Sequence, residues 1–442
     1  MALSPTDIKT YKRRLRRKGF GYSLASLLLF SKKDAAGKPC SPLASAYVNS
    51  LHCMEQWVVQ DGWLTSHYCK NRWCPECNRI RTAVLINTYM PRLTEEQEAG
   101  QKLQFVTLTR RNVEKDSLKD ELKEYHKIWS RITDMPQYRD FIAPDKAAEK
   151  HLQRAKKARA KAEEWQNRGF LYPNYLERVE YFLKKEREEL QKAEEWRNKR
   201  PIIGLRKLEC TYHHQKYLMY RQKGGIVQYQ TDICGNKKSD PYYDTYHPHF
   251  HVLCNSLEFA EWLKATWLEL CGDKANEKAQ DIREVYDNDT PKEDRKGKKG
   301  LLEIFKYFTK LVSKIEVPGS KDGRWFIFAD QLDNIFTAMV GRRVFQRFGK
   351  DDVWQCEEVD EDNIEERAAI EGMEDDVYEF LQSGIWGDGE WAMVSHQTGD
   401  VLVSVQRKGK LCDMLRNTEE TVGIDHNLLD KMAKAPPNAP PI

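Results

Sequence analysis

One ten-residue stretch constrains this chain more than any other: Thr245-Tyr246-His247-Pro248-His249-Phe250-His251-Val252-Leu253-Cys254. Taken as a β-strand, its side chains alternate between two faces. His247, His249 and His251 fall on one face, and Phe250, Val252 and Cys254 on the other. The apolar set can seat on a core. The imidazoles then stand in a row over the sheet, spaced so that two of them can hold one metal ion; neutral imidazole is a common ligand of divalent metals. Three surface or hydrogen-bonded histidines are the competing reading, and strict alternation with apolar backing argues against it.

A catalytic metal site of this kind needs a further ligand, and a carboxylate suits a hard cation. Ile202–Tyr212 also reads as a strand, on which Glu209 shares a face with Lys207 and Thr211. Downstream, residues 301–315 read as a helix. Leu301, Ile304, Phe305, Phe308, Leu311, Val312 and Ile315 recur at helical spacing and make one buried stripe. Glu303, Tyr307, Lys310 and Lys314 make a second stripe, within roughly 60° of one another at about 100° per residue. A carboxylate, a phenol and two ammonium groups are thus presented together, with a solvated polar face carrying a stray tyrosine as the plain alternative.

Cysteine spacing carries the next signal. Cys53, Cys69, Cys74 and Cys77 fit C-x15-C-x4-C-x2-C, with Cys74-Pro75-Glu76-Cys77 as a knuckle. Four such thiols suit a closed tetrahedral Zn²⁺ site, with His52 and His67 as reserve ligands and free core cysteines as the alternative. Arg72, Arg79 and Arg81 flank the knuckle, where they can touch phosphate. Eleven cysteines without an export signal favour thiols and metal ligation over disulfides. The apolar run Tyr22–Phe30 is too short to span a bilayer and lacks a signal-peptide cleavage pattern, so no membrane association and a cytoplasmic location are expected.

The remaining segments set the expected fold. Residues 9 to 18 are strongly basic and read as an arm that lies on phosphate or stays disordered. Gln104–Arg110 is a strand, 117–133 an amphipathic helix, 257–271 a helix and Asp281–Tyr286 a strand. The order strand, helix, insertion, strand, strand, helix, strand, helix is the split βαβ pattern. The fold class expected is α+β: a ferredoxin/RRM-like antiparallel sheet with helices on one side, an N-terminal zinc-binding element and a helical-hairpin insertion. Residues 145–200, rich in Lys, Arg, Glu and Ala, form that hairpin, either as a solvated projection or as a DNA-clamping or partner-binding arm. Residues 212–246 hold many Tyr, Gly and Asp and read as an elaborated hairpin, and 324–349 as a packed basic element. The chain turns acidic from Asp351 to Glu379, and Trp386–Val405 reads as a β-hairpin. The expected domains are 1–50 (basic arm), 51–100 (zinc-binding element), 101–350 (catalytic domain) and 351–442 (acidic linker and C-terminal region without an assigned role).

Four elements in this order carry a family resemblance: the strand Phe105–Thr109, the Leu208-Glu209 strand, His-Pro-His-Phe-His at 247–251, and Glu-x-x-x-Tyr-x-x-Lys at 303–310. Together they resemble the HUH endonucleases, and more closely the Rep_1-like replication initiators of rolling-circle plasmids. The resemblance covers roughly residues 50 to 350 with the helical hairpin inserted. Initiators of that group carry a similar Cys-Pro-x-Cys element before their first strand, which strengthens Cys74 and Cys77 as zinc ligands. The resemblance implies Mn²⁺ or Mg²⁺ held by His249, His251 and Glu209, with His247 as a further candidate ligand. It implies Tyr307 as nucleophile, Lys310 as its activating charge, and Glu303 as the group that activates water at termination. The implied reaction nicks one strand of origin DNA, single-stranded or in a stem-loop, leaving a 5′-phosphotyrosyl enzyme and a free 3′-OH primer. A host helicase and polymerase are the implied partners. A single-strand transposase or mobilisation relaxase of the same superfamily, and a non-catalytic zinc-dependent DNA-binding protein, are the rival readings.

Overall fold

The computed structural model describes residues 5–169, 172–286, 299–305, 309–356, 358–359, 368–369, 375–383 and 389–407. The chain opens with helix α1 (Pro5–Leu29), followed by α2 (Ala44–Leu51), the hairpin strands β1 (Gln56–Gln60) and β2 (Trp63–Ser66), and the long helix α3 (Pro75–Glu98). Pro75 sits in the first turn of α3, where its missing N–H costs nothing. The basic stretch 9–18 is therefore not an arm. Apolar residues recur through it at helical spacing: Tyr11 and Leu15 are buried against Trp57, and Phe20, Leu24 and Leu28 continue the stripe into a second core. Gly19 is required by close packing, since a Cβ there would fall 2.3 Å from the Trp391 ring.

The central part follows as β3 (Gln104–Thr109), α4 (Lys115–Asp134), α5 (Pro136–Ile142), α6 (Pro144–Arg168), α7 (Tyr175–Arg197), β4 (Gly204–His213), β5 (Met219–Arg221), β6 (Val227–Tyr229), β7 (Thr245–Cys254), α8 (Leu257–Cys271), β8 (Asp281–Tyr286) and β9 (Lys299–Gly300). Helix α8 starts at Ser256, whose side chain accepts from the Phe259 N–H at 3.2 Å. Helices α6 and α7 pack antiparallel through small residues: Ala155, Ala158, Ala162 and Ala193 are buried, and the His151–Glu189 and Arg159–Glu186 pairs cross between them.

Strands β4, β7, β3 and β8 lie side by side in that order, all antiparallel to their neighbours. This is the interleaved split βαβ arrangement that the element order predicts. A later strand, β12 (Phe345–Phe348), extends one edge against β4, and β9 the other, parallel to β8. Alternation sorts the side chains. Val106, Leu108, Leu208, Phe250 and Val252 face a core closed by α4 and α8, with Leu118, Leu122, Tyr125, Phe259, Leu263 and Trp267. Each such fully buried apolar side chain contributes about 1.5–3 kcal/mol. Phe105, Leu205 and Leu253 face the opposite way and meet Leu85, Ile86, Tyr89 and Leu93 of α3. The sheet thus carries helices on both faces, not one. The reason is that α3 follows directly from the cysteine knuckle and presents a long apolar stripe that must be covered.

Past β9 the expected single helix over 301–315 does not form. Leu301–Phe305 is one 3-10 turn, and Ser313–Ile315 is strand β10, paired with β11 (Arg324–Phe326). The apolar residues recur at helical spacing because they fill two separate cores: Leu301, Leu302, Ile304 and Phe305 pack on the α3 face, and Leu311 and Val312 in the α4 core. Helix α9 (Ala329–Met339), β12 (Phe345–Phe348) and α10 (Asp351–Trp354) follow.

The acidic run 351–379 contributes strands where a linker was expected, and the expected hairpin at 386–405 is present as an antiparallel pair. Strands β13 (Ala368–Ala369), β14 (Asp376–Ser383), β15 (Gly389–Ser395) and β16 (Val401–Arg407) join β1 and β2 in a second six-stranded sheet, ordered β13-β2-β1-β14-β15-β16. Its core unites Tyr11, Leu15, Trp57, Phe380, Trp391 and Met393 with the four clustered cysteines. Among the described residues no helix is long and apolar enough to cross a membrane.

Helix α1 is fastened to α3 by charge. The buried Glu76 carboxylate takes the Arg17 guanidinium and lies 2.9 Å from Arg79 Nη2 and 3.9 Å from Arg14 Nε. Burial alone would raise the Glu76 pKa, but Arg17, Arg79 and Arg14 outweigh it and hold it at about 2. A carboxyl depressed in the folded state stabilises the fold above its unfolded pKa and loses that contribution as pH falls through the folded value. Stability should therefore fall between about pH 4.5 and pH 2, by on the order of 3 kcal/mol from this group. Denaturant titrations at stepped pH should show that slope in the wild type and a flatter one in Glu76→Gln.

Candidate metal centres

Two groups of side chains converge tightly enough to hold a metal ion: Cys53, Cys69, Cys74 and Cys77, and Glu209, His249 and His251. In each, the ligand atoms all lie within 4.8 Å of one another.

The cysteine group is assembled from three places. Cys53 follows α2, Cys69 follows β2, and Cys74 and Cys77 bracket the first turn of α3. All four are buried. The Sγ–Sγ separations are 3.5 Å for Cys74–Cys53, 3.6 Å for Cys53–Cys77 and 3.7 Å for Cys69–Cys77. A disulfide would need about 2 Å. A tetrahedron of thiolates about 2.3 Å from one ion has edges of roughly 3.8 Å, so the observed spacing fits a closed four-sulfur site. The Lys18 ammonium is buried nearby and donates to the Leu51 carbonyl at 2.6 Å. Burial lowers its pKa to about 8, while Cys53, Glu55, Cys74 and Cys69 pull it back up. The reserve ligands are not in the group. His52 pairs with Glu55 at 2.7 Å, and His67 lies 3.5 Å from the Asn49 amide oxygen. The flanking arginines face the protein: Arg72 donates to the Arg342 carbonyl, Arg79 to Glu76 and Arg81 to the Lys70 carbonyl.

The second group lies on the sheet. In the β4–β7 ladder Glu209 stands opposite His249, Lys207 opposite His251 and Thr211 opposite His247. All six share the face that carries Leu205 and Leu253. His249 Nε2 is 3.1 Å from His251 Nε2 and 3.9 Å from Glu209 Oε1, and His251 Nε2 is 3.3 Å from Glu209 Oε2. Those are the separations expected of ligands sharing one ion at about 2.0–2.2 Å. Each ring is oriented by its other nitrogen: His249 Nδ1 is 3.2 Å from the His247 carbonyl, and His251 Nδ1 is 3.3 Å from Thr107 Oγ1. Such bonds select the tautomer that leaves Nε2 free to ligate.

Charge favours the ligating forms. Burial pulls His249 down to about 3, against the opposing pull of Glu209, so its imidazole is neutral at physiological pH. Burial would raise Glu209, but Lys207 and the two histidines outweigh it and hold the carboxyl well below the usual carboxylate range. The buried Lys207 Nζ lies 3.4 Å from Glu209 Oε2. His247 stands apart from the group: its Nε2 is bonded to Thr109 Oγ1.

The strand itself is held from behind. Tyr125 of α4 accepts from the Arg110 N–H at 2.8 Å and donates to the Pro248 carbonyl at 2.6 Å, between His247 and His249. Proline is tolerated in this central strand because the β3 ladder ends at Thr109–His249, one residue short of it. The sequence already places Lys207 on the face of Glu209, but it gives Thr107 no role; the period-two pattern of β3 was the available signal for it.

The remaining site residues are distributed differently. Glu303 lies in the 3-10 turn, whose neighbours Leu302, Ile304 and Phe305 pack on the metal-site face of the sheet. Thr82 of α3 meets the Phe305 carbonyl at 3.4 Å. Lys310 is exposed, beyond the turn and not on a shared helix, and its charge reaches His214. Tyr307 lies outside the described residues.

The sulfur tetrahedron should be visible without any activity assay. Titration of the metal-depleted protein with Co²⁺ should give the absorption of tetrahedral thiolate ligation at one equivalent per chain, and Cys77→Ser should abolish it. Wild-type protein lacking that absorption would count against the site.

A family model described as a replication protein (Rep_1) matches residues 63–144, from β2 through the knuckle cysteines, α3, β3 and α4. Comparison with curated proteins and with solved structures gave no match. The matched span is under a fifth of the chain and stops before Glu209 and the histidine strand. It joins the cysteine knuckle to the first strand of the sheet, and over that span the chain is similar to this family of replication proteins.

Proposed function

We propose that this protein initiates rolling-circle replication by nicking one strand of origin DNA through an HUH-type, metal-dependent tyrosine transesterification. The convergence of Glu209, His249 and His251 on one face of a split βαβ sheet is the observation that carries this reading. The family match supports the replication role.

The three ligands present one carboxylate oxygen and two imidazole nitrogens, a mixed set that suits Mn²⁺ and accepts Mg²⁺. A divalent cation bound there would polarise the scissile phosphate. In the proposed reaction the Tyr307 phenol attacks that phosphorus. A bond forms between the phenolic oxygen and phosphorus, the P–O3′ bond breaks, and the leaving 3′-oxygen takes up a proton. The products are a 5′-phosphotyrosyl protein and a 3′-hydroxyl that can prime synthesis. A phenol with a pKa near 10 is a weak nucleophile at neutral pH, and Lys310 would supply positive charge close to it in sequence. Glu303 would activate water in a second, hydrolytic cleavage. Zn²⁺ in the cysteine site would serve structure alone, since four thiolates leave no open position.

Incubation with a single-stranded origin oligonucleotide and Mn²⁺ should give a covalent protein–DNA adduct that survives denaturing gel electrophoresis. Tyr307→Phe should abolish the adduct while leaving DNA affinity within about twofold, and EDTA should stop its formation until Mn²⁺ is restored. An adduct that persists in Tyr307→Phe, or in EDTA, would sink the mechanism. Glu303→Ala should still form the adduct but lose hydrolytic release; equal loss of both steps would remove Glu303 from its assigned role.

A further inference from the structure

The elaborated hairpin between β4 and β7 has no part in the reaction above, yet it is tied to the metal-site face. We propose that the Lys216–Tyr243 hairpin is a stacking ledge for unpaired bases of single-stranded DNA flanking the scissile phosphate. The inference rests on the nicking reading for its substrate and on the following geometry for its location.

The hairpin starts where β4 ends. His213 is on the Glu209 side of β4, four residues further along, or roughly 13 Å. Its Nε2 lies 3.0 Å from Asp240 Oδ2, and Asp240 also accepts from the Tyr242 N–H at 2.9 Å. The Tyr242 ring then stands edge-on to His213 at 6.2 Å. These bonds anchor the ledge to the site's own strand. On its far side the hairpin rests on the 316–321 segment through the Val227 N–H on the Ser320 carbonyl and a two-pronged Arg221–Glu316 pair at 2.6 and 2.7 Å.

Its tyrosines divide into two sets. Tyr217 and Tyr229 pack against each other at 5.6 Å, with Lys237 4.1 Å over the Tyr229 ring, and they hold the hairpin together. Tyr220, Tyr242 and Tyr243 are 45%, 52% and 46% exposed. Large rings left in water on a short hairpin are unexplained by its own packing. Aromatic faces accept any unpaired base, and a duplex keeps its bases stacked internally.

The charges agree. Each carboxylate of the ledge is already engaged: Asp232 with the Cys234 and Asn236 N–H groups, Asp240 with His213, and Asp244 with the Tyr212 hydroxyl. Lys216 and Lys223 make no salt bridge among the described residues, and Lys238 lies near enough to Asp232 to help hold its carboxylate ionised. A phosphate backbone would meet these ammonium groups, and binding of this kind is salt-dependent.

Fluorescence anisotropy with a labelled oligothymidylate of about 20 nucleotides, and with a duplex of equal length, tests the ledge. Tyr242→Ala/Tyr243→Ala, checked for folding by circular dichroism, should weaken single-strand binding at least about fivefold and leave its salt dependence and the duplex affinity unchanged. Lys223→Ala/Lys238→Ala should reduce the slope of log affinity against log salt by roughly 1 to 1.5. Binding is read in EDTA, where the proposed nicking stops, so the result bears on the ledge and not on the reaction. Unchanged single-strand affinity in the tyrosine variant, or an equal loss for duplex, would overturn the proposal.

Discussion

The register of β4 against β7 is the constraint on which the site depends. Glu209 meets the histidine strand at His249, and Lys207 meets it at His251, because the ladder runs unbroken from Gly204–Cys254 to His213–Thr245. Directly opposed side chains in such a pair are about 5 Å apart, close enough for one ion to bridge them. A slip of one residue would turn Glu209 into the apolar core and Leu208 onto the histidines. Leu208, Phe250 and Val252 forbid that slip by being fully buried, and Gly204 admits the close approach of Phe348 and the Leu253 carbonyl that a Cβ would block.

The cysteine centre acts on the same sheet at one remove. Its four sulfurs share a core with Trp57, Trp391 and the α1 stripe, so the N-terminal helix, the knuckle and the C-terminal strands are one packing unit. From Cys77 the chain passes without a break into α3, whose apolar stripe covers the metal-site face through Leu85, Ile86 and Tyr89. The 3-10 turn that carries Glu303 is sandwiched between that helix and the sheet.

Much of this was legible in the residues. Period-two alternation marked Gln104–Thr109, Gly204–His213 and Thr245–Cys254 as strands with assigned faces, because each is half covered by a core and the other face carries the polar groups. Cysteine spacing marked four thiols that converge at 3.5–3.7 Å. The 301–315 segment misled for a physical reason: its apolar residues recur at helical intervals, but Phe305 and Leu311 belong to cores on opposite faces of the sheet. The basic stretch 9–18 misled because Tyr11 and Leu15, few among many cations, suffice to seat a helix once Glu76 neutralises Arg17. Strand β14 was hidden in an acidic run, since Phe380 finds its core only when β1 is beside it.

Residue chemistry and short-range periodicity are properties of neighbouring positions, so the chain itself settled which side chains can ligate, which strand faces bear them and where the thiols cluster. Partner choice is a property of distant positions. That Glu209 is the carboxylate beside His249, that His247 turns to Thr109, that β12 and β14 complete two different sheets, and that the hairpin after His213 leans Tyr242 over the site's own strand all depend on contacts between segments tens to hundreds of residues apart. No local pattern encodes such contacts, because each is fixed by which buried surfaces fit together once the chain has closed.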